Sequence, residues 1–101
     1  MILETAELTI APGHEAAFEA AVREAVPLFL ASPGCRGVRL HRVVEVPGLY
    51  RLLVDWASLE DHTVGFRGSE AFTQWRALVS PHFAAPPVVT HSEEVLSSGA
   101  G

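Results

Sequence analysis

The sequence predicts an α+β fold: a four-stranded antiparallel sheet with two helices on one face, in the order strand, helix, strand, strand, helix, strand. Three observations carry the prediction. Apolar residues alternate over four separate stretches, which is the signature of half-buried strands. Two intervening stretches repeat their apolar residues at helical spacing instead. Pro-Gly, Ser-Pro-Gly and Pro-Pro sequences punctuate the boundaries. At 101 residues the chain is long enough for one domain with a modest core.

The first strand covers Ile2 to Ile10, with Ile2, Glu4, Ala6, Leu8 and Ile10 on one face and Leu3, Thr5, Glu7 and Thr9 on the other. Ala11-Pro12-Gly13 ends it. From His14 a helix follows, its buried stripe made by Phe18, Val22, Ala25 and Phe29. Pro27 has no N–H for the carbonyl four residues back, which predicts a kink or an early end near Val26. Ser32-Pro33-Gly34 closes this element. Cys35 to Val46 alternates again, Pro47-Gly48 supplies a tight turn, and Leu49 to Ala57 returns as the third strand, giving an antiparallel hairpin. Tyr50, Leu52, Val54 and Trp56 share a face of that strand.

Ser58 with Asp61 has the spacing of a capping box and starts a short helix to about Phe66. Gly68-Ser69 starts a second helical segment, with Phe72, Trp75, Val79 and Phe83 along one side, which Pro81 and Pro86-Pro87 terminate. Val88 to Leu96 is the last strand, so the domain spans residues 1–96 and residues 97–101 form a disordered tail. The element order is the split βαβ pattern of ferredoxin-like folds. Leu3, Val43, Leu53, Val89 and Val95 fall on faces opposite their apolar neighbours, so both sides of the sheet call for burial. A second copy packed sheet to sheet would supply the cover.

Composition narrows the partners. Charged residues make up 19%, below the usual quarter, which again favours a hidden homodimer surface. The net charge of -5 has the wrong sign for binding a nucleic acid backbone. A lone Cys35 cannot form an internal disulfide, the N-terminus carries no secretory pattern, and no apolar stretch is long enough to span a membrane. These features predict a cytoplasmic protein with no membrane partner.

The chemistry-bearing residues concentrate in one region: Trp56 and His62, then Phe66, Phe72, Trp75 and Arg76. Each has a structural alternative. Trp56, Phe72 and Trp75 bound an aromatic pocket, or they are plain core. His62 is the best candidate general base because imidazole titrates near neutrality; otherwise it bonds Ser58 or a backbone group. Arg76 clamps an oxygen anion or flanks its helix in solvent. Tyr50 donates its phenol to a ligand or edges the sheet. His41 and His91 lie on strands where both could point into a dimer interface, and as a metal pair they are weak, although Glu93 shares the His91 face. No metal is therefore expected. His14 and His82 read as surface residues near helix ends, and Cys35 as a small apolar residue rather than a nucleophile.

With these residues in place, the chain resembles the antibiotic biosynthesis monooxygenase family of dimeric α+β barrels over residues 2 to 96. The likeness is carried by Pro12-Gly13, by Pro33-Gly34-Cys35-Arg36-Gly37, by Trp56-x-Ser58-x-Glu60-x-His62 and by Ser69-x-x-Phe72. The resemblance implies two sheets joined in a barrel and a pocket between each sheet and its helices. It also implies oxidation of a quinol or phenolic compound by O2 without metal, flavin or other cofactor. An electron-rich phenolate can itself reduce dioxygen, so the protein need only bind, deprotonate and shield it. His62 would take the proton and Arg76 or Tyr50 would hold the oxygen. Trp56, Phe66, Phe72 and Trp75 would bind the hydrophobic aromatic ring and exclude water.

The chain departs from the family in two places. Haem-degrading members use an Asn on the first strand, then a Trp and a His; Ala6, Phe66 and Arg76 stand at those positions, which disfavours haem degradation. Many members carry a second His one helical turn after the first, where this chain has Phe66. Both departures also fit a rival reading, a non-catalytic small-molecule-binding or structural barrel.

Overall fold

The computed structural model describes residues 1–100; Gly101, the last residue of the predicted tail, lies outside the described residues. Four strands and two main helices follow in the expected order: β1 (Ile2–Thr9), α1 (Glu15–Leu30), β2 (Cys35–Arg42), β3 (Leu49–Trp56), α2 (Glu70–Val79) and β4 (Val88–Glu93). A π-helical turn, Asp61–Phe66, precedes α2, and a 3-10 turn, Ser80–His82, follows it. The sheet order is β2-β3-β1-β4, and every pair is antiparallel. This is the ferredoxin-like α+β arrangement.

The strands pair so that their apolar faces coincide. Ala6 lies opposite Leu52, Leu8 opposite Tyr50, and Glu4 opposite Val54 on one side and His91 on the other. Cross-strand partners share a face, so this face collects Ala6, Leu8, Tyr50, Leu52, Val54 and Trp56, all buried under the helices. From α1 come Phe18, Ala21, Val22, Ala25 and Phe29, and from α2 Trp75 and Val79. Phe29 is the hinge of this packing. Its ring stacks on Phe66 at 4.8 Å and meets Trp75 edge-on at 4.9 Å.

Turn chemistry fixes the boundaries. Gly48, predicted in the hairpin turn, has φ +80, a left-handed conformation costly for any residue with a Cβ. Its carbonyl accepts the Ile10 N–H at 2.8 Å, and an added Cβ would come within 3.0 Å of the Ile10 oxygen. Gly34 has φ +83, and a Cβ there would collide with the Asp61 carboxylate, so this turn also seats the π-helical segment. At the start of α2, Ser69 accepts the Phe72 N–H through its hydroxyl oxygen and donates that hydroxyl to the Phe66 carbonyl.

Several boundaries differ from the sequence reading. Pro27 lies inside α1, which continues to Leu30. The missing N–H costs one helical bond, but ending the helix there would expose Phe29, and burial of that ring outweighs the loss. β2 stops at Arg42, where a longer strand to Val46 was expected; Val44 and Val46 are exposed in the following turn. β4 stops at Glu93, leaving Val95 and Leu96 exposed, and Ser97 to Ala100 form no helix or strand. The case for an apolar outer face shrinks accordingly. Val89 pairs with Ala6 and packs against the core side, and Val43 and Val95 lie outside the sheet, so only Leu3 and Leu53 remain, both half-buried.

Phe29→Ala should destabilise the fold by about 3–5 kcal/mol in urea denaturation, because it opens a cavity between Phe66 and Trp75. The exposed neighbour substitution Leu30→Ala should change stability by less than about 0.5 kcal/mol.

Candidate functional site

The first charged residue of β1, Glu4, sits on the buried face of the strand and is 5% exposed. Burying a carboxylate is costly unless polar partners meet it. Trp56, at the end of the neighbouring strand, donates its indole N–H to Glu4 Oε1 at 3.0 Å. His62 Nε2 approaches the same oxygen to 3.3 Å. The imidazole of His62 lies parallel to the Trp56 indole, with centroids 5.4 Å apart and planes 15° apart. On its other side His62 Nδ1 is bonded to His91 Nε2 at 2.7 Å. A carboxylate, an indole and two imidazoles thus form one continuous polar line through an otherwise apolar layer.

The π-helical turn aims His62. Ser58 Oγ accepts the Asp61 N–H at 3.2 Å, as the capping spacing predicts, and the Arg67 N–H reaches back five residues to the His62 carbonyl at 3.0 Å. The wider turn keeps both His62 and Phe66 buried while leaving Val64 outside. Insertions of this type recur at functional sites.

Burial dominates the titration of this group. It holds the Glu4 carboxyl above the usual carboxylate range, against the opposing pull of the Trp56 hydrogen bond and of the Arg67 charge. His62 is only 2% exposed, and burial, followed by the charge of Arg67 and the repulsion that a protonated His91 would add, brings its pKa down to about 4. His91 is lowered for the same two leading reasons, burial and then Arg67. At neutral pH both imidazoles are neutral. Their shared bond then has one N–H and one lone pair.

Beside this line lies a cavity of about 190 Å³. Glu4, Ala6, Leu8 and Leu52 form its floor on the sheet, and His62, Phe66, Phe72 and Trp75 its aromatic wall. Arg67, Arg76, Phe83, Pro87 and Val89 complete it. Both close contacts to Glu4 fall on Oε1, and among the described residues no buried side-chain oxygen lacks a partner. Glu4 Oε2 therefore keeps its opening toward the cavity.

The structure brings together His62, Phe66, Phe72, Trp75 and Arg76 around this cavity. Trp56 stands behind them, fully buried, and acts on the cavity through Glu4, His62 and Phe66. Tyr50 is not with them: its hydroxyl donates to Glu19 Oε2 at 2.6 Å in a separate hollow, about 290 Å³, between α1 and β2. The placement follows from distance along β3: Tyr50 shares the buried face with Trp56 but lies six residues from it. His91 turns toward the core face and not toward an outer interface, because it pairs with Glu4; His41 lies opposite Arg51 on the outer face. The two therefore cannot share a ligand. His14 and His82, expected at the surface near helix ends, approach each other with Nδ1 atoms 3.1 Å apart.

Sequence reasoning missed Glu4 and Arg67. The signal for Glu4 was present, a lone carboxylate on the apolar face between Ile2 and Ala6. Nothing local marked Arg67.

Comparison with known proteins agrees with this architecture. The family profile described as antibiotic biosynthesis monooxygenase matches residues 1–78. The chain is 40% identical over 95 residues to the uncharacterized protein YczJ of Bacillus subtilis (strain 168), covering 94% of this chain and 100% of that one. A Bordetella bronchiseptica crystal structure that carries the family's name superposes with a TM-score of 0.92 at 49% identity, over 94% of this chain and 97% of the other. A Caulobacter crescentus CB15 structure of the same name gives a TM-score of 0.81 at 26% identity, over 94% and 90%. With the fold, the extent of the match and these identities in agreement, the chain belongs to the antibiotic biosynthesis monooxygenase family.

Proposed function

We propose that this protein is a cofactor-independent monooxygenase that oxidises a quinol or phenol in the cavity between its sheet and helices. The observation that carries the reading is the buried Glu4 carboxylate, open through Oε2 to an aromatic-walled cavity and backed by neutral His62. A carboxyl whose pKa is raised by burial is a better match to a phenolic proton at neutral pH than an ordinary surface carboxylate. His62 itself is poorly placed to accept the proton. One ring nitrogen is bonded to His91, the other faces Glu4, and its basicity is suppressed. The proton-accepting unit is thus Glu4, with His62 and Trp56 holding it in position.

The chemistry balances without an outside reductant. A bound hydroquinone gives its proton to Glu4 Oε2, and the resulting phenolate passes electrons to O2. One oxygen atom enters the ring and the other leaves as water. The product is a hydroxyquinone, and every electron taken up by O2 comes from the ring. Phe66, Phe72 and Trp75 keep water from the reactive intermediate. Arg76 offers a positive charge to the developing oxygen anion.

The assembly and setting belong to the same proposal. Two copies pair across the outer face of the sheet, where Leu3 and Leu53 are half-buried in the isolated chain. Among the described residues no helix is long and apolar enough to cross a membrane, and the free, half-buried Cys35 suits a reducing cytoplasm.

Three outcomes test the reading. Glu4→Gln should lower oxygen uptake with hydroquinone by about 100-fold or more, and His62→Ala should lower it as well; unchanged turnover in Glu4→Gln excludes Glu4 as the base. Hydroquinone binding with no oxygen uptake would make this a binding protein. For pH, the unfolded chain takes up protons at His62 below its ordinary value of 6.5, whereas the folded chain refuses them until about 4. Stability should therefore fall as pH drops through that window. Glu4, raised in the folded state, works in the opposite direction above its ordinary 4.5 and offsets part of that loss. Urea midpoints at the two ends of the window measure it, and His62→Gln should flatten the slope. Sedimentation should give twice the 10.9 kDa chain mass, and Leu53→Asp should return it to one.

A further inference from the structure

The seven basic side chains of this acidic protein are all arginines, and their placement is uneven. Arg23 and Arg42 pair with Glu19, and Arg51 pairs with Glu7. Arg36, Arg39, Arg67 and Arg76 form no ion pair among the described residues, and of these four Arg67 and Arg76 line the cavity beside Glu4 and His62, one from the end of the π-helical turn and one from α2. In a chain with a net charge of -5, two unpaired guanidinium groups on one small hollow make it locally positive. The floor of the same hollow is a carboxyl group. A ligand that suits both ends must carry a neutral, proton-donating group at one end and an anion at the other.

Size narrows the ligand further. A cavity of roughly 150 Å³ accommodates benzene, so the 190 Å³ here has room for one substituted ring. Phe66, Phe72 and Trp75 provide faces and edges for that ring.

We propose that the ligand of this cavity is a hydroxylated benzoate, its ring between Phe66, Phe72 and Trp75, its hydroxyl at Glu4 and its carboxylate held by Arg67 and Arg76. The inference rests on the monooxygenase reading for the location of the site and adds the substrate class. Guanidinium groups bind carboxylates through paired N–H donors. Arg67 has a second influence. Its charge acts on Glu4, His62 and His91 alike, so a carboxylate seated on it would weaken its hold on the polar line and couple ligand charge to the base.

The test compares dihydroxybenzoate, hydroquinone and inorganic phosphate as calorimetric titrants at neutral pH and low salt, for the native protein and for Arg67→Gln, Arg76→Gln and the double variant. Both arginines are exposed, and circular dichroism checks that the variants fold. Dihydroxybenzoate should bind about tenfold or more tightly than hydroquinone. The double variant should lose that preference, its affinity for the acidic ring falling to that for hydroquinone. Phosphate alone should bind weakly, because it leaves the aromatic wall unused; phosphate binding as tight as dihydroxybenzoate would overturn the proposal in favour of a plain anion site. Equal affinity for the acidic and neutral rings in the native protein, or a preference that survives in the double variant, overturns the carboxylate assignment and leaves the cavity reading intact. No binding of either ring overturns both.

Discussion

Glu4 is the residue around which this molecule is arranged. A carboxylate inside a helix-covered sheet would cost several kcal/mol if left alone. The surroundings reduce that cost by converging on it: an indole N–H from β3, an imidazole from the π-helical turn, and the field of Arg67 from the cavity wall. Removing any one of these leaves the charge less supported. Trp56 and His62 are therefore buried for a polar reason as well as an apolar one, and their parallel stacking follows from sharing one acceptor atom.

The rest of the core supports that arrangement mechanically. Phe29 wedges between Phe66 and Trp75, fixing the π-helical turn and α2 against α1. Ser69 ties the end of the turn to the start of α2. The cavity survives because the wall residues pack on each other, with Phe66 meeting Phe72 edge-on at 5.6 Å, and none reaches down to fill the space above Glu4. Helix, turn and strand thus hold a hollow open beside a polar line. That juxtaposition gives an apolar site one strong acceptor and two cations, the groups that the proposed binding and deprotonation of an aromatic hydroxyl would use.

The two ends of the sheet serve different purposes. At the Trp56 end the polar line and the cavity meet. At the Tyr50 end Glu19 gathers Tyr50, Arg42 and a more distant Arg23, and this cluster lowers the Glu19 carboxyl below its ordinary range chiefly through the Tyr50 hydrogen bond. The contrast between the carboxylates is a matter of solvent. Glu19 stays charged among donors at the surface, whereas Glu4, shut away, holds its proton to higher pH.

The order of elements, the buried faces of the strands and the turn glycines were legible in the sequence, because each follows from local periodicity or local backbone freedom: Ala6 and Leu8 on one side of β1, Gly48 in the hairpin, Ser69 at the head of α2. Strand ends were less legible. Val44, Val46, Val95 and Leu96 are strand-prone but find no neighbour to pair with, and pairing is a tertiary property. The aromatic wall was readable as a cluster in sequence. The partners of Glu4 were not, since Trp56 lies 52 positions away along the chain, and His91 lies 29 positions from the His62 it bonds. The sequence alone determined which faces must be apolar; only the folded sheet decided which charged group would be trapped among them, because that depends on strand register, and register is set by every pair at once.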